Sequence, residues 1–497
     1  MFQRASGILL HPTSLPGRFG IGDLGRSAYE FVDFLHSSNQ TLWQILPLAP
    51  TGYEHSPYTM NFSVFAGNPL MISLDQLAEA GLLNSEELTP LENVPDDRVV
   101  FDRVIPHKLK LLQLAFDRFQ KSPDPAFEEF CQQQSAWLTD FTLFMALLEA
   151  NAGKNWNTWE RSIARRDPDT LKAAIEQLQP SIRFQQFLQF VFFQQWRKLR
   201  EYTNSKQIQI IGDISIYVCH NSADVWANPE IFKLDAETFE PTFIAGVPPD
   251  YFSATGQLWG NPVYDWNQLQ NSNFEWWIDR FQTTLQYVDI VRVDHFRGFQ
   301  AYWQVPAGEE TAINGEWIEA PGAEFFETLN SRLGGLPILA EDLGIITPEV
   351  EALRDRFNFP GMRILMFAFS DDSSNAYLPH HYVQNTVVYP GTHDNDTAIG
   401  WWKTASDSEK QFLARYLGYS SPDQIKEINW SMIQLSMASV ANWSIAALQD
   451  VLSLDDRARM NDPSHNDNNW RWRYSSSDLL TEAVTVRLRE MTTLYSR

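Results

Sequence analysis

Three short segments carry acidic residues where the sequence pattern ends a strand. They are VRVDHFRG (Val291–Gly298), ILAEDLG (Ile338–Gly344) and YPGTHDNDT (Tyr389–Thr397). Each opens on β-prone residues and stops at a Gly, Asp or Asn punctuator, so each reads as strand then loop. Carboxylates at the strand exits of a parallel barrel are the usual seat of chemistry, and a pair of them is the minimum equipment for cleaving a glycosidic bond. In the first segment Arg292 and Asp294 are two apart and share a face of a strand. The guanidinium there favours an ionised Asp294, as a covalent nucleophile requires. The second segment offers Glu341 and Asp342, and a Glu kept protonated by apolar or like-charged surroundings serves as a general acid. The third places His393 and Asp394 on a tight turn, positioned to hydrogen-bond hydroxyls and to stabilise positive charge at a reacting carbon. Helix capping accounts for an Asp at any one strand end. It does not account for three such segments in this order.

The elements that must hold these residues alternate between strand and helix. LWQILPLAP (Leu42–Pro50) reads as a buried strand closed by prolines, followed by a long polar-aromatic loop, TGYEHSPYTMNFSVFAGNP. From about 75 to 205 the periodicity is helical. In SIRFQQFLQFVFFQQWRKLREY, Phe184, Phe187, Leu188, Val191, Phe192, Trp196 and Leu199 form one core-facing stripe. IQIIGDISIYV (Ile208–Val218) is a near-continuous apolar run of the kind parallel strands show. Further strand segments follow, separated by helical ones, and beyond about 402 the pattern reads as helices, including NWSMIQLSMASVANWSIAALQDVL. The expected fold is α/β, a (β/α)8 TIM-type barrel with a large mainly helical insertion and extra loops over its C-terminal face. Residues 1–70 would start the barrel, 71–205 form the insertion, and 206–497 complete the barrel.

Composition narrows the partners. The chain has 497 residues and a net charge of −24. That charge opposes binding to nucleic acid or to an anionic membrane surface. Two cysteines, Cys131 and Cys219, build neither a disulfide framework nor a zinc cluster and read as reduced thiols. No signal-peptide h-region and no run of membrane-spanning length occur, so a cytoplasmic protein is expected, or an organelle protein whose transit peptide lies outside this chain. Aromatic content is 13%, with 18 Trp, which suits the apolar faces of sugar rings as well as core packing. His220 has no metal-ligand spacing around it and reads as a polar loop residue.

The motifs ILLHPTSLPGRFGIGDLG, LWQILPLAPTGY, AGVPPDYFSATGQLWGNPVYDW, VRVDHFRGF, AEDLG, GTHDNDTAIGWW and NWRWRY together resemble the amylomaltases, the 4-α-glucanotransferases also called disproportionating enzymes. The resemblance covers the barrel and its loops. It implies that Asp294 is the nucleophile, Glu341 the general acid/base and Asp394 the transition-state stabiliser. It further implies substrate contacts from Arg292, His393, Tyr58, Asp213, Asp250, Trp259 and Tyr53. α-1,4-Glucans and malto-oligosaccharides would be the substrates, and neither a metal nor an organic cofactor would be needed. The chain departs from the family pattern at Thr59, Ser215, Pro390 and Ser464. Two rival readings share the carboxylates: a hydrolase of the α-amylase type, and a glucan-binding protein without turnover. In a retaining mechanism the two carboxyl groups stand roughly 5–5.5 Å apart.

Overall fold

The computed structural model describes residues 3–52, 55–58, 61–249, 253–465 and 467–497. Twelve strands run in chain order: β1 (Ala5–Leu9), β2 (Leu42–Gln44), β3 (Gln209–Ile214), β4 (Phe243–Val247), β5 (Gln257–Pro262), β6 (Ile290–Val293), β7 (Ala301–Pro306), β8 (Glu316–Glu319), β9 (Ile338–Ala340), β10 (Gly361–Ile364), β11 (Thr386–Tyr389) and β12 (Trp443–Ala447). Eight of them form one parallel sheet in the order β10-β11-β12-β1-β2-β3-β6-β9. Its two ends meet at β9 and β10, where the Ala340 N–H donates to Pro360 O at 3.0 Å, so the sheet is a nearly closed barrel. Nearly every residue of these strands is buried, because helices cover the outer face and side chains fill the inside. The other four strands make an antiparallel sheet, β5-β4-β7-β8, built from the insertions after β3 and β6.

Between β2 and β3 the chain is helical, as the periodicity predicts. The largest element is the 38-residue helix Pro168–Ser205, opened by Asp167, whose side chain accepts the Thr170 N–H. Pro180 lies inside it, and the dense apolar stripe begins beyond that proline. Phe187, Leu188, Val191, Phe192, Trp196 and Leu199 are all buried there, with Phe184 packed at the margin. Phe187 and Phe190 pack against Phe119 and Phe127 of neighbouring helices.

The long helix holds the segment after β2 through the backbone. Gln189 Oε1 accepts the Gly67 N–H at 2.8 Å, and its Nε2 donates to Gly67 O at 3.0 Å. Gln195 repeats the arrangement on Ser73 at 2.7 and 3.1 Å. Gly67 has no room for a side chain, since a Cβ there would stand 2.0 Å from the Phe192 ring.

Three segments differ from the sequence expectation. The strand expected over Leu42–Pro50 ends at Gln44, ahead of Pro47 and Pro50, which have no N–H to donate to a ladder. The run Ile208–Val218 is a strand only to Ile214, where the chain turns and the Ser215 carbonyl is captured by the Arg280 guanidinium at 2.6 Å. The stretch NWSMIQLSMASVANWSIAALQDVL is not all helix. The helix Ile428–Ala438 stops, and WSIAA forms β12, the strand that pairs with β1 and brings the two ends of the sequence together. Ala, Ile and Trp in a short apolar run fit strand and helix alike, so periodicity alone does not separate them.

The paired glutamines give a test of how the loop is held. Gln189→Leu keeps the volume but strands the buried N–H and C=O of Gly67. It should lower unfolding free energy by about 2–4 kcal/mol, read as a shifted urea midpoint at unchanged slope. An unshifted midpoint would show that the helix does not hold this loop.

Candidate active site

Barrel strands deliver the candidate residues to one end. Asp213 is the penultimate residue of β3, Arg292 lies in β6, and Asp294 and Glu341 are the first residues past β6 and β9. β6 pairs with β3 on one side and β9 on the other, so the three exits are adjacent. His393 and Asp394 follow β11 on a turn tied by the Asn395 side chain, which accepts the Thr392 N–H at 2.8 Å.

Arg292 is the hub. Its Nη1 stands 2.9 and 2.7 Å from the two oxygens of Asp213 and 2.9 Å from Asp294 Oδ1. The Arg292 and Asp213 side chains are 3% and 0% exposed, whereas Asp294 keeps 27% of its surface open. Burial works against the Arg292 charge, but the flanking carboxylates outweigh it and raise its pKa. Burial pushes the Asp213 carboxyl upward, opposed by Arg292. Tyr58 OH donates to Asp213 Oδ2 at 2.9 Å, extending the chain of contacts into the substrate loop.

Glu341 is held by backbone amides. Its Oε2 accepts the His295 N–H at 2.7 Å and its Oε1 the Leu343 N–H at 2.9 Å. His295 takes the left-handed conformation (φ 51°), turning the chain sharply after Asp294. Burial first, and the Asp294 charge second, raise the Glu341 pKa above that of an ordinary glutamic acid. An arginine-bonded Asp294 beside a Glu341 whose pKa is raised is an arrangement that can serve a nucleophile and a general acid. Asp342, its neighbour, does different work. It accepts Arg354 Nη1 at 2.5 Å and the Met362 N–H at 2.6 Å, fastening β9 to β10.

Asp394 sits within a polar cradle and is 42% exposed. Asn461 Nδ2 donates to its Oδ1 at 2.7 Å, His393 Nε2 lies 3.3 Å from its Oδ2, and Arg459 Nη2 donates to its carbonyl at 3.0 Å. The His393 ring stacks on Tyr58 at 5.1 Å and 8°, with Trp470 tilted against both. Trp259 is in β5 and not in a loop, as the motif AGVPPDYFSATGQLWGNP spans a β4–β5 hairpin. Its ring meets His295 edge-on at 4.9 Å, so it flanks the turn that follows Asp294.

The structure thus brings together Tyr58, Asp213, Arg292, Asp294, Glu341, His393 and Asp394, with Trp259 alongside. Tyr53, Asp250 and Thr59 lie outside the described residues. Asn461, Arg459 and Trp470 were not singled out from sequence. They reach Asp394 and Tyr58 from the segment after β12, and no local pattern marks them beyond the NWRWRY motif. Of the departures from the family pattern, Ser215 bonds Tyr217 O, Pro390 O accepts the Met366 N–H, and Ser464 closes a turn on Asp462. His220 is a loop residue whose Nε2 meets Phe239 O at 2.8 Å. Among the described residues, no group of three or more His, Cys, Asp or Glu is placed to hold a metal ion, and no helix is long and apolar enough to cross a membrane.

The chain resembles known proteins over its whole length. The family model Glyco_hydro_77, 4-alpha-glucanotransferase, matches residues 10–480. A 4-alpha-glucanotransferase of Synechocystis is 53% identical over 501 residues, covering 100% of this chain and 98% of that protein. The Thermus thermophilus 4-alpha-glucanotransferase is 46% identical, covering 98% of each. An amylomaltase from Streptococcus agalactiae, solved in complex with acarbose, is 40% identical, covers 100% of both chains and gives a TM-score of 0.95. With a match that runs from the first barrel strand to the last helix, the chain belongs to the 4-alpha-glucanotransferase (amylomaltase) family of enzymes.

Proposed function

We propose that the chain transfers segments of a 1,4-α-D-glucan to the 4-hydroxyl of an acceptor glucan or glucose, by retaining double displacement. The observation that carries this reading is the arrangement at β3, β6 and β9: Asp294 bonded to a buried arginine, with Glu341 beside it in a setting that retains a proton. Asp294 attacks C1 of a glucosyl unit while Glu341 gives its proton to the departing glycosidic oxygen. The leaving chain departs, and a β-glucosyl ester on Asp294 remains. Glu341, now ionised, takes the proton of an acceptor 4-hydroxyl, whose oxygen displaces Asp294 and restores the α-configuration. Asp394, held by Asn461 and His393, accepts hydrogen bonds from hydroxyls of the distorted ring. Tyr58 offers its ring beside that sugar, and Trp259, Tyr53 and Asp250 contact the chains on either side.

α-Glucans and malto-oligosaccharides are the substrates in this reading, without metal or organic cofactor. The catalytic unit comprises residues 1–70 and 206–497, with 71–205 as its helical insertion. A cytoplasmic location fits the two unpaired cysteines and the bacterial relatives, while a 42%-identical relative from Solanum tuberosum is chloroplastic/amyloplastic.

Incubation with pure maltotriose tests the reading. Glucose and a ladder of longer malto-oligosaccharides should appear while total reducing ends stay constant. Rising reducing ends with only shorter products would establish a hydrolase, and binding without turnover a glucan-binding protein. Asp294→Asn should lose transfer by several orders of magnitude while melting like the parent, and parental rates in that variant would remove Asp294 from the nucleophile role. The pH profile tests Glu341. The acid must be protonated to act, so kcat/KM should fall as pH rises through its elevated pKa, placing the alkaline limb well above the ~4.3 of an exposed glutamic acid. A limb at the ordinary glutamate value would contradict the assignment.

A further inference from the structure

Two buried imidazoles, those of His11 and His393, line one small cavity. His11 lies two residues past β1, and His393 follows β11. They are 6% and 5% exposed, and Nδ1 of each is closed off from solvent without a hydrogen-bond partner among the described residues. Both line one small cavity of about 10 Å³, together with Leu46, Gln449, Met460 and Trp472. A space of ~10–15 Å³ holds one water, provided that polar partners face it. Two otherwise unsatisfied imidazole nitrogens are such partners, and leaving them unpaired is costly.

The opposite edge of His393 explains why this matters. Its Nε2 is 3.3 Å from Asp394 Oδ2. A neutral imidazole has one N–H and one lone pair, so the role of Nδ1 dictates that of Nε2. Burial keeps both rings neutral. A proton on Nδ1 would leave the Nε2 lone pair facing a carboxylate oxygen, which is repulsive. The Tyr58 stack fixes the ring plane and does not choose between the two tautomers.

We propose that one water in this cavity donates a hydrogen to Nδ1 of His11 and a hydrogen to Nδ1 of His393. His11 is thereby a positioning residue that keeps the His393 proton on Nε2, the nitrogen that lies near Asp394. The part played by Asp394 in this inference rests on the function proposed above.

The test uses the full chain labelled with 15N-histidine and long-range proton–nitrogen spectra of the imidazole rings. The His393 signals are assigned by their loss in His393→Gln. The parent should show His393 in the Nε2–H form alone, with a hydrogen-bonded Nδ1. His11→Phe, which fills the space without a nitrogen, should mix the two tautomers of His393. It should also lower kcat about tenfold with KM within about twofold of the parent. His11→Asn, whose amide oxygen accepts from the water, should restore much of the spectrum and of kcat. A parental His393 with its proton on Nδ1 would overturn the proposal, as would a His11→Phe variant with unchanged spectrum and kcat. The parental and His11→Asn spectra decide the matter even if His11→Phe fails to fold. The tautomer is read without turnover, so its failure would leave the roles of Asp294 and Glu341 standing, whereas an active Asp294→Asn would not touch the tautomer.

Discussion

A single buried guanidinium organises the cleft. Arg292 is closed away from solvent and shared by Asp213 and Asp294, so neither carboxylate can move without stranding a charge in a poorly solvated site. Breaking one partner of such a pair is far more damaging than the pair is stabilising, which makes the contact a constraint on geometry more than a source of stability. The constraint propagates outward through Tyr58, whose hydroxyl is bound to Asp213 and whose ring lies on His393. One positive charge therefore fixes Asp294, the loop that carries Tyr58 and, through the stack, the turn that carries Asp394. The next strand exit holds a third carboxyl, Glu341, and burial first, then the negative charge of Asp294, favour a proton there.

The barrel supplies the precision that this network needs. Strand-end residues inherit their positions from a hydrogen-bonded ladder, and the adjacent β3, β6 and β9 set three functional groups side by side without help from long loops. What loops contribute is selective. The β4–β5 hairpin brings Trp259 against His295, and the segment after β12 closes over Asp394 with Asn461 and Arg459. In the proposed double displacement these covering elements would matter because a sugar hydroxyl must reach the ester before water does.

The charge-bearing heart of the site could be read from the chain because its signals are local. Arg292 and Asp294 share a strand face by simple alternation, and Glu341 and Asp394 stand beside Gly, Asp and Asn punctuators that mark strand exits. The resemblance to amylomaltases then attached roles to those positions. Residues that act from a distance were not visible in this way. Asn461 reaches Asp394 across 67 positions of sequence, and nothing in MNDPSHNDNN indicates which polar side chain turns inward. β12 was hidden for a different reason, since five buried residues between two helices carry no period of their own. His11 was noticed only as part of HPTSLPG, as its neighbour His393 comes from the other end of the sequence, after β11, which β12 alone separates from β1 in the sheet.

The two glutamines of the long helix have a consequence for how this chain can vary. Gln189 and Gln195 grip peptide groups, and a peptide group is present whatever side chain the residue carries. The insertion therefore recognises the course of the loop, and constrains its composition at Gly67, where the Phe192 ring excludes a side chain. At Ser73 the held backbone leaves the side chain free to serve as a helix cap, accepting the Gln76 N–H. A substitution at Ser73 would therefore cost the cap on Gln76 without loosening the grip of Gln195 on the backbone.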